Sequence, residues 1–292
     1  MKTVNANSEQ GFTLIELLVV IAIIAVLMSI LLPSLWLVKR KAAGAVCLIN
    51  SKNLSLGWNM YQDENDGRIM SATMEARDDD RTYVGWIGLP RTEDGTVIPH
   101  SDLRRTAPPV TDEDEIRGIQ AGKLFPYMKN ADAYHCPADN QRRSLFDGTK
   151  LFATYQVPGC LYGWPSRSNT RYKTQIRKYT EITSPSTRYV FLECAEMRNW
   201  NSNGRFLMGA PEDGHTNWAW WVPVAINHGD SSILGFCDGH AEVRKWRNRS
   251  TIDHVNKLLD QGGDNYGTFV PTDGTDDLEY MARGWAYRHL ER

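Results

Sequence analysis

The sequence predicts an α+β fold: one long N-terminal α-helix, hydrophobic in its first half, packed on an antiparallel β-sheet head with long loops. Three observations predict it. An apolar run from Leu17 to Leu32 follows Glu16 directly and extends to Val38 past Pro33 and Ser34. Beyond Lys41, apolar residues recur at helical spacing on two faces, with Cys47, Leu54, Trp58 and Tyr61 on one and Ala42, Ile49, Leu56 and Met60 almost opposite. Towards the C-terminus, two alternating segments flank Asp238-Gly239, the pattern of a β-hairpin.

The elements follow in order. A helix is expected from Phe12 to about Gln62, roughly 75 Å at 1.5 Å per residue. Pro33 should kink or locally melt it, because proline lacks the N–H donor and its ring meets the preceding turn. A helix packed on a single head needs only one apolar stripe. The second stripe therefore either meets neighbouring subunits or belongs to a helix sunk deep in its own domain. Asn65-Asp66-Gly67 supplies a stop, with glycine suited to a left-handed position. A strand is expected around Tyr83–Leu89, a long polar loop over 90–115 and a short helix or turn over 123–129. Further strands are expected near 151–156, 188–194 and 218–226, then a helix over 249–262. A Gly- and Asp-rich stretch follows, with a final helix or arm over 278–290. In the hairpin, a two-residue Asp238-Gly239 turn would set Leu234 opposite Val243 and Phe236 opposite Ala241.

Composition narrows the function. The 292 residues carry a formal net charge of −2, which excludes a bulk nucleic-acid binder. A secretory signal peptide competes for the first thirty residues, but its apolar region is usually about 7–15 residues and ends at a small-residue cleavage site. Here the run passes Ser29 and meets Pro33 instead, so the segment is expected to be retained. A carboxylate at the centre of a membrane helix costs about 2.5–3.5 kcal/mol. Glu16 is therefore either shallow enough to stay wet or paired.

Candidate chemistry is sparse. The five cysteines, Cys47, Cys136, Cys160, Cys194 and Cys237, form no C-x-x-C pair, which argues against zinc and against a thioredoxin-like motif. Either Cys47 and Cys136 form a disulfide tying helix to head, or all five are small buried hydrophobes. His228, Asp238 and His240 could be gathered into a metal site, but the turn itself requires Asp238, and a structural reading is preferred. No Ser-His-Asp order, paired carboxylates or phosphate-binding loop stands out, so no enzyme is expected. Glu193 and Glu196 are residue types too common to count. Trp218-Ala219-Trp220-Trp221, in a chain with ten tryptophans, is either a sugar-stacking platform or core.

The hexad Gly11-Phe12-Thr13-Leu14-Ile15-Glu16, behind a polar leader containing Lys2, resembles the type IV prepilin signal of pilins and of type II secretion pseudopilins. The resemblance implies a pilin-like fold. It also implies cleavage between Gly11 and Phe12 by a prepilin peptidase, with N-methylation of Phe12. Glu16 would then be neutralised, during assembly, by the Phe12 amine of a neighbouring subunit. The implied parts are a leader (1–11), a transmembrane and assembly helix (12–38), its amphipathic continuation (39–66) and an exported head (67–292). A single inner-membrane pass would leave the leader cytoplasmic and the head periplasmic, although Lys39, Arg40 and Lys41 alone would favour the reverse.

A second resemblance joins it. His228, with nine residues between it and Asp238-Gly239, is similar to the H-x9-DG motif of prepilin-like proteins common in planctomycetes. The same group shows counterparts of Asn53-Leu54, Met60-Tyr61, Asn65-Asp66-Gly67 and Cys136-Pro137-Ala138-Asp139. Major pseudopilins carry a calcium-stabilised loop, and Asp260, Asp264, Asp273 and Asp276 are similar in composition; the alternative is a solvated loop, with no cofactor at all. The implied function is a structural subunit of a type IV pilus or type II secretion-type filament, with prepilin peptidase, other pilin or pseudopilin subunits and the inner membrane as partners. The alternative is a surface-anchored ligand- or glycan-binding protein exported by the same route.

Overall fold

Helix α1 runs from Leu14 to Glu64 in the computed structural model. The structure describes residues 14–74, 84–98, 110–139, 151–163, 175–195, 204–209, 217–261 and 269–286. The helix continues through Pro33 without a break. Proline removes one i→i−4 bond and leaves those on either side intact, so the expected local melting does not occur. Within α1 the chain divides into two compact units, residues 1–42 and 43–292. The described part of the first unit is helix alone.

In the second unit α1 ends where the sequence places its stop. Asp66 and Gly67 are both left-handed, at φ 54° and 72°. The Gly67 N–H donates to the Gln62 carbonyl at 2.9 Å, and the Asn65 side-chain amide donates to the Tyr61 carbonyl at 2.7 Å. These bonds satisfy carbonyls that a helix end would otherwise leave orphaned.

The strands are β1 (Tyr155–Pro158), β2 (Tyr189–Glu193), β3 (Arg205–Phe206), β4 (Met208–Gly209), β5 (Ala219–Trp220), β6 (Ser231–Phe236) and β7 (Ala241–Lys245). Five of them form one sheet in the order β3-β1-β2-β6-β7, and β4 pairs with β5. All pairings are antiparallel except β1 with β3, so the sheet is mixed rather than wholly antiparallel. Strands β1, β2 and β6 are buried along their whole length, including the polar side chains of Gln156, Glu193, Ser231 and Ser232. Edge strand β7 is largely exposed and correspondingly rich in charge.

Two expectations fail between the helix and the sheet. No strand forms among the described residues 84–89; an isolated bridge from Gly85 to Ser71 takes its place. The expected loop over 90–115 contains the start of helix α2 (Asp112–Ala121). Its signal is a capping box: the Asp114 N–H donates to Thr111 Oγ1 at 3.2 Å, while the Thr111 N–H donates to the Asp114 carboxylate at 2.9 Å. Helices α3 (Phe125–Met128), α4 (Arg249–Gln261) and α5 (Asp276–Gly284) lie close to their expected positions. The expected strand at 218–226 shrinks to β5.

The hairpin forms one residue out of the expected register. Ile233 pairs with Val243, Leu234 with Glu242 and Gly235 with Ala241. The loop is Cys237-Asp238-Gly239, three residues long, because Gly239 takes φ 95° and adds one residue to the turn. Three-residue loops ending in a left-handed glycine are the next commonest hairpin solution after two-residue turns.

Helix α1 lies close over this sheet. The Tyr155 hydroxyl donates to the Cys47 carbonyl at 3.1 Å. At Gly235 a Cβ would stand 2.4 Å from Ser55 Oγ and 2.8 Å from Ser51 Oγ. Glycine on β6 and serines on α1 thus set the approach of helix to strand. We predict that Gly235→Ala forces the two elements apart and lowers stability by about 1–3 kcal/mol. Chemical denaturation followed by tryptophan fluorescence checks this; an unchanged midpoint would show that the contact is not limiting.

Candidate functional site

Two regions carry the residues singled out by the sequence. The first is α1 itself. Gly11 and Phe12 lie outside the described residues, and Glu16 occupies the first turn of α1, exposed. Leu14–Leu32 is long and apolar enough to cross a membrane, by length and composition, and none of it is buried. In the second unit the two apolar stripes part company. Cys47, Leu54, Trp58 and Tyr61 are buried in the head. Ile49, Leu56 and Met60 remain 58%, 43% and 52% exposed, with Val46 also outward. A helix sunk in its own domain would bury both stripes, so that alternative falls.

The second region is a buried cluster where α1 meets the sheet. Cys47 comes from α1, Cys136 from the turn after a short 3-10 helix at Ala131–Tyr134, Glu193 from the end of β2 and His228 from the turn before β6. Their four ligand-type atoms all lie within 4.8 Å of one another. His228 Nε2 stands 2.9 Å from Glu193 Oε1 and 3.4 Å from Cys136 Sγ. Glu193, Cys47 and Cys136 are fully buried, and Ile233 caps the cluster with its side chain.

Supporting bonds hold Glu193 and Cys136 in place. The Ile233 N–H donates to Glu193 Oε2 at 2.8 Å. The Cys136 N–H donates to Thr154 Oγ1 at 3.0 Å, and that hydroxyl donates in turn to the Asp139 carboxylate at 2.9 Å. The Cys-Pro-x-Asp element thus closes on itself through Thr154, with the Asp139 N–H also donating to the Cys136 carbonyl at 2.8 Å. His228 begins a turn through Gly229 and Asp230, both at positive φ. Its Nδ1 has no hydrogen-bond partner among the described residues and lies against Gly44 of α1.

The electrostatics follow from burial and contact. Burial alone would pull the His228 imidazole down, but its bonds to Cys136 and Glu193 outweigh that and push it up to about 10. Burial, then the neighbouring Cys47 thiol and the Glu193 charge, push the Cys136 thiol up. At neutral pH and without a bound ion, the cluster therefore holds a charged imidazole hydrogen-bonded to Glu193, beside the protonated Cys136 thiol.

The sequence candidates are distributed unevenly over this geometry. His228 joins the cluster, whereas Asp238 and His240 contact each other at the exposed β6–β7 turn, where His240 stacks on Phe236. Cys47 and Cys136 are brought together, and all five cysteines are free thiols here. The lack of a C-x-x-C pair does not bear on a group assembled from four separate segments. Glu193 was set aside as common; the signal was its place as the lone charge in the strand Tyr189-Val190-Phe191-Leu192-Glu193. Asp264, Glu196 and the Asp260 side chain lie outside the described residues. Asp273 accepts from the Ser250 N–H at 3.2 Å, which anchors the start of α4, and Asp276 opens α5. Trp220 is fully buried against Trp246, and Trp218 packs on Trp285.

Fold and segment together define an α+β protein whose apolar N-terminal helix opens with a prepilin-type signal. Residues 6–32 match the family described as the prokaryotic N-terminal methylation motif. Among characterised proteins, the chain is similar to the type IV wide pilus major component PilA4 of Thermus thermophilus, 42% identical over 60 residues. The match covers 20% of this chain and 46% of that protein, so the chain spans about half the length of this relative. No solved structure matches the chain.

Removing one partner of a buried ion pair strands the other's charge and costs about 3–5 kcal/mol. We predict a loss of that size for His228→Ala in chelator-treated protein. Adding Glu193→Gln should recover a large part of it, since the amide is neutral and still accepts the Ile233 N–H. A double-mutant cycle by urea denaturation checks the coupling, and additive losses would contradict the pair.

Proposed function

We propose that the chain is a structural, non-enzymatic subunit of a type IV pilus or a type II secretion-type filament, processed between Gly11 and Phe12 and assembled through α1. The observation that carries this reading is the outward apolar stripe of Val46, Ile49, Leu56 and Met60, on the same helix as the apolar, unburied Leu14–Leu32. The methylation motif over residues 6–32 and the similarity to a pilus component support it.

The physical chemistry is coherent. Leu14–Leu32 needs apolar surroundings in every state. Lipid supplies them while the subunit is stored in the inner membrane, and neighbouring copies of the helix supply them in a filament. Because lipid tails are as apolar as leucine, moving between the two gains little hydrophobic energy, and packing and polar pairing decide the outcome. Glu16, in the first turn of α1, supplies a carboxylate for that pairing, and the Phe12 amine of an adjacent subunit is a cation of the right kind. The outward stripe beyond residue 42 sits in water before assembly, so its burial between subunits adds a hydrophobic contribution of roughly 25 cal/mol per Å² covered. Trp220 is buried on Trp246 and Trp218 packs on Trp285, so these two indoles do not support the glycan-binding alternative.

Two substitutions test the reading. Glu16→Ala should still be cleaved to a chain beginning at Phe12, read by N-terminal sequencing, but should yield few sheared surface filaments. Ile49→Lys should leave the head's thermal midpoint nearly unchanged while reducing assembly by the same assay. Normal filament yield from both variants would sink the proposal.

A further inference from the structure

We propose that Cys47, Cys136, Glu193 and His228 form a structural zinc site that fastens helix α1 to the sheet. The donor set is two sulfurs, one imidazole nitrogen and one carboxylate oxygen, a combination that suits zinc and leaves hard cations such as calcium and magnesium poorly served. Tetrahedral zinc, with bonds of about 2.3 Å to sulfur and about 2.0–2.2 Å to nitrogen and oxygen, sets neighbouring ligand atoms about 3.3–3.8 Å apart. Cys136 Sγ and His228 Nε2 stand at 3.4 Å, already on such an edge. Glu193 Oε1 and His228 Nε2, hydrogen-bonded at 2.9 Å, have to open by a few tenths of an ångström. All four atoms fall within 4.8 Å of one another, close enough for one ion to reach them with side-chain adjustment alone.

The supporting bonds resemble those of a built site. Glu193 keeps its second oxygen on the Ile233 N–H, and Cys136 is held by Thr154 and Asp139. Such outer contacts orient ligands before the ion arrives. Four protein ligands in a buried pocket leave no open coordination position, which marks a structural rather than a catalytic role. Zinc would bind both sulfurs as thiolates, His228 through a neutral Nε2 and Glu193 as a carboxylate, so each ligand atom gives up any proton it carries as the ion enters. The ligands come from four segments far apart in sequence, so the ion would join α1, the Cys-Pro-x-Asp turn, β2 and the turn before β6.

The same two sulfurs could instead be oxidised to a Cys47–Cys136 disulfide, and the two arrangements are mutually exclusive. The experiment uses the full chain in detergent, purified from membranes, with zinc added and free metal removed by desalting. About one zinc per chain is expected by elemental mass spectrometry. Cobalt substitution should give thiolate-to-cobalt charge transfer together with tetrahedral ligand-field bands. Cys47→Ser, Cys136→Ser and His228→Ala should each weaken zinc binding by more than the about 10–100-fold typical of losing an outer contact. Cys160→Ser, outside the cluster, should leave it unchanged. Where a ligand variant fails to fold, the cobalt spectrum of the unsubstituted chain decides. Three results would each overturn the proposal: no stoichiometric zinc on folded, reduced protein; unaltered affinity in folded Cys136→Ser; or recovery of a Cys47–Cys136 disulfide peptide from native membranes.

Discussion

A helix with two apolar faces can give only one of them to its own sheet, and the head is arranged around that constraint. The face bearing Cys47, Leu54, Trp58 and Tyr61 goes inward. To seat it, the sheet offers glycine where α1 offers serine, so that Gly235 approaches Ser51 and Ser55 more closely than any side chain on β6 would allow. That close approach sets how near α1 can lie to the sheet. Ile49, Leu56 and Met60 lie on the face of α1 turned away from the sheet.

The same contact gives the H-x9-DG spacing a physical meaning. The interval from His228 to Asp238 is a turn followed by β6, and both of its ends abut α1. His228 Nδ1 lies 3.5 Å from where a Cβ on Gly44 would stand, and a Cβ on Gly239 would stand 2.8 Å from Leu56 Cδ2. The motif therefore reports a strand laid along a helix. Its histidine enters the buried cluster, and its glycine takes the left-handed conformation that a close-packed turn requires.

Much of this was legible in the sequence where one local rule governs. Periodicity gave α1 and its two stripes, Asn65-Asp66-Gly67 gave its end, and the alternating segments around Asp238-Gly239 gave the hairpin. Register was missed by one residue, since a turn's loop length depends on the backbone angle of Gly239 and not on the dipeptide alone. Helix α2 was missed although Thr111 and Asp114 carry its capping box, because the polar residues before it dominated the reading of 90–115. Residues 84–89 read as a strand from composition but find no neighbour to extend a ladder. The cluster was least legible of all. Its members are scattered from position 47 to position 228, and only the folded sheet brings them together. Even so, a lone glutamate in an otherwise apolar strand was a warning that a partner had to exist.

That partner raises a question of energetics. A well-packed apolar set in place of a buried charge pair is often neutral or stabilising, so Glu193 and His228 are not explained by stability alone. Their position supplies an explanation. Apolar packing between a helix and a sheet tolerates small slides along the helix axis, whereas directed bonds from Cys136, Glu193 and His228 around Cys47 do not. A slide of one residue would rotate α1 by about 100° and turn the outward stripe away from where it lies now. In the proposed filament, the stripe has to stand at one fixed angle to meet neighbouring subunits. A polar cluster at the point where helix meets head thus helps specify which face of α1 is turned outward, while the apolar core supplies the energy that holds it.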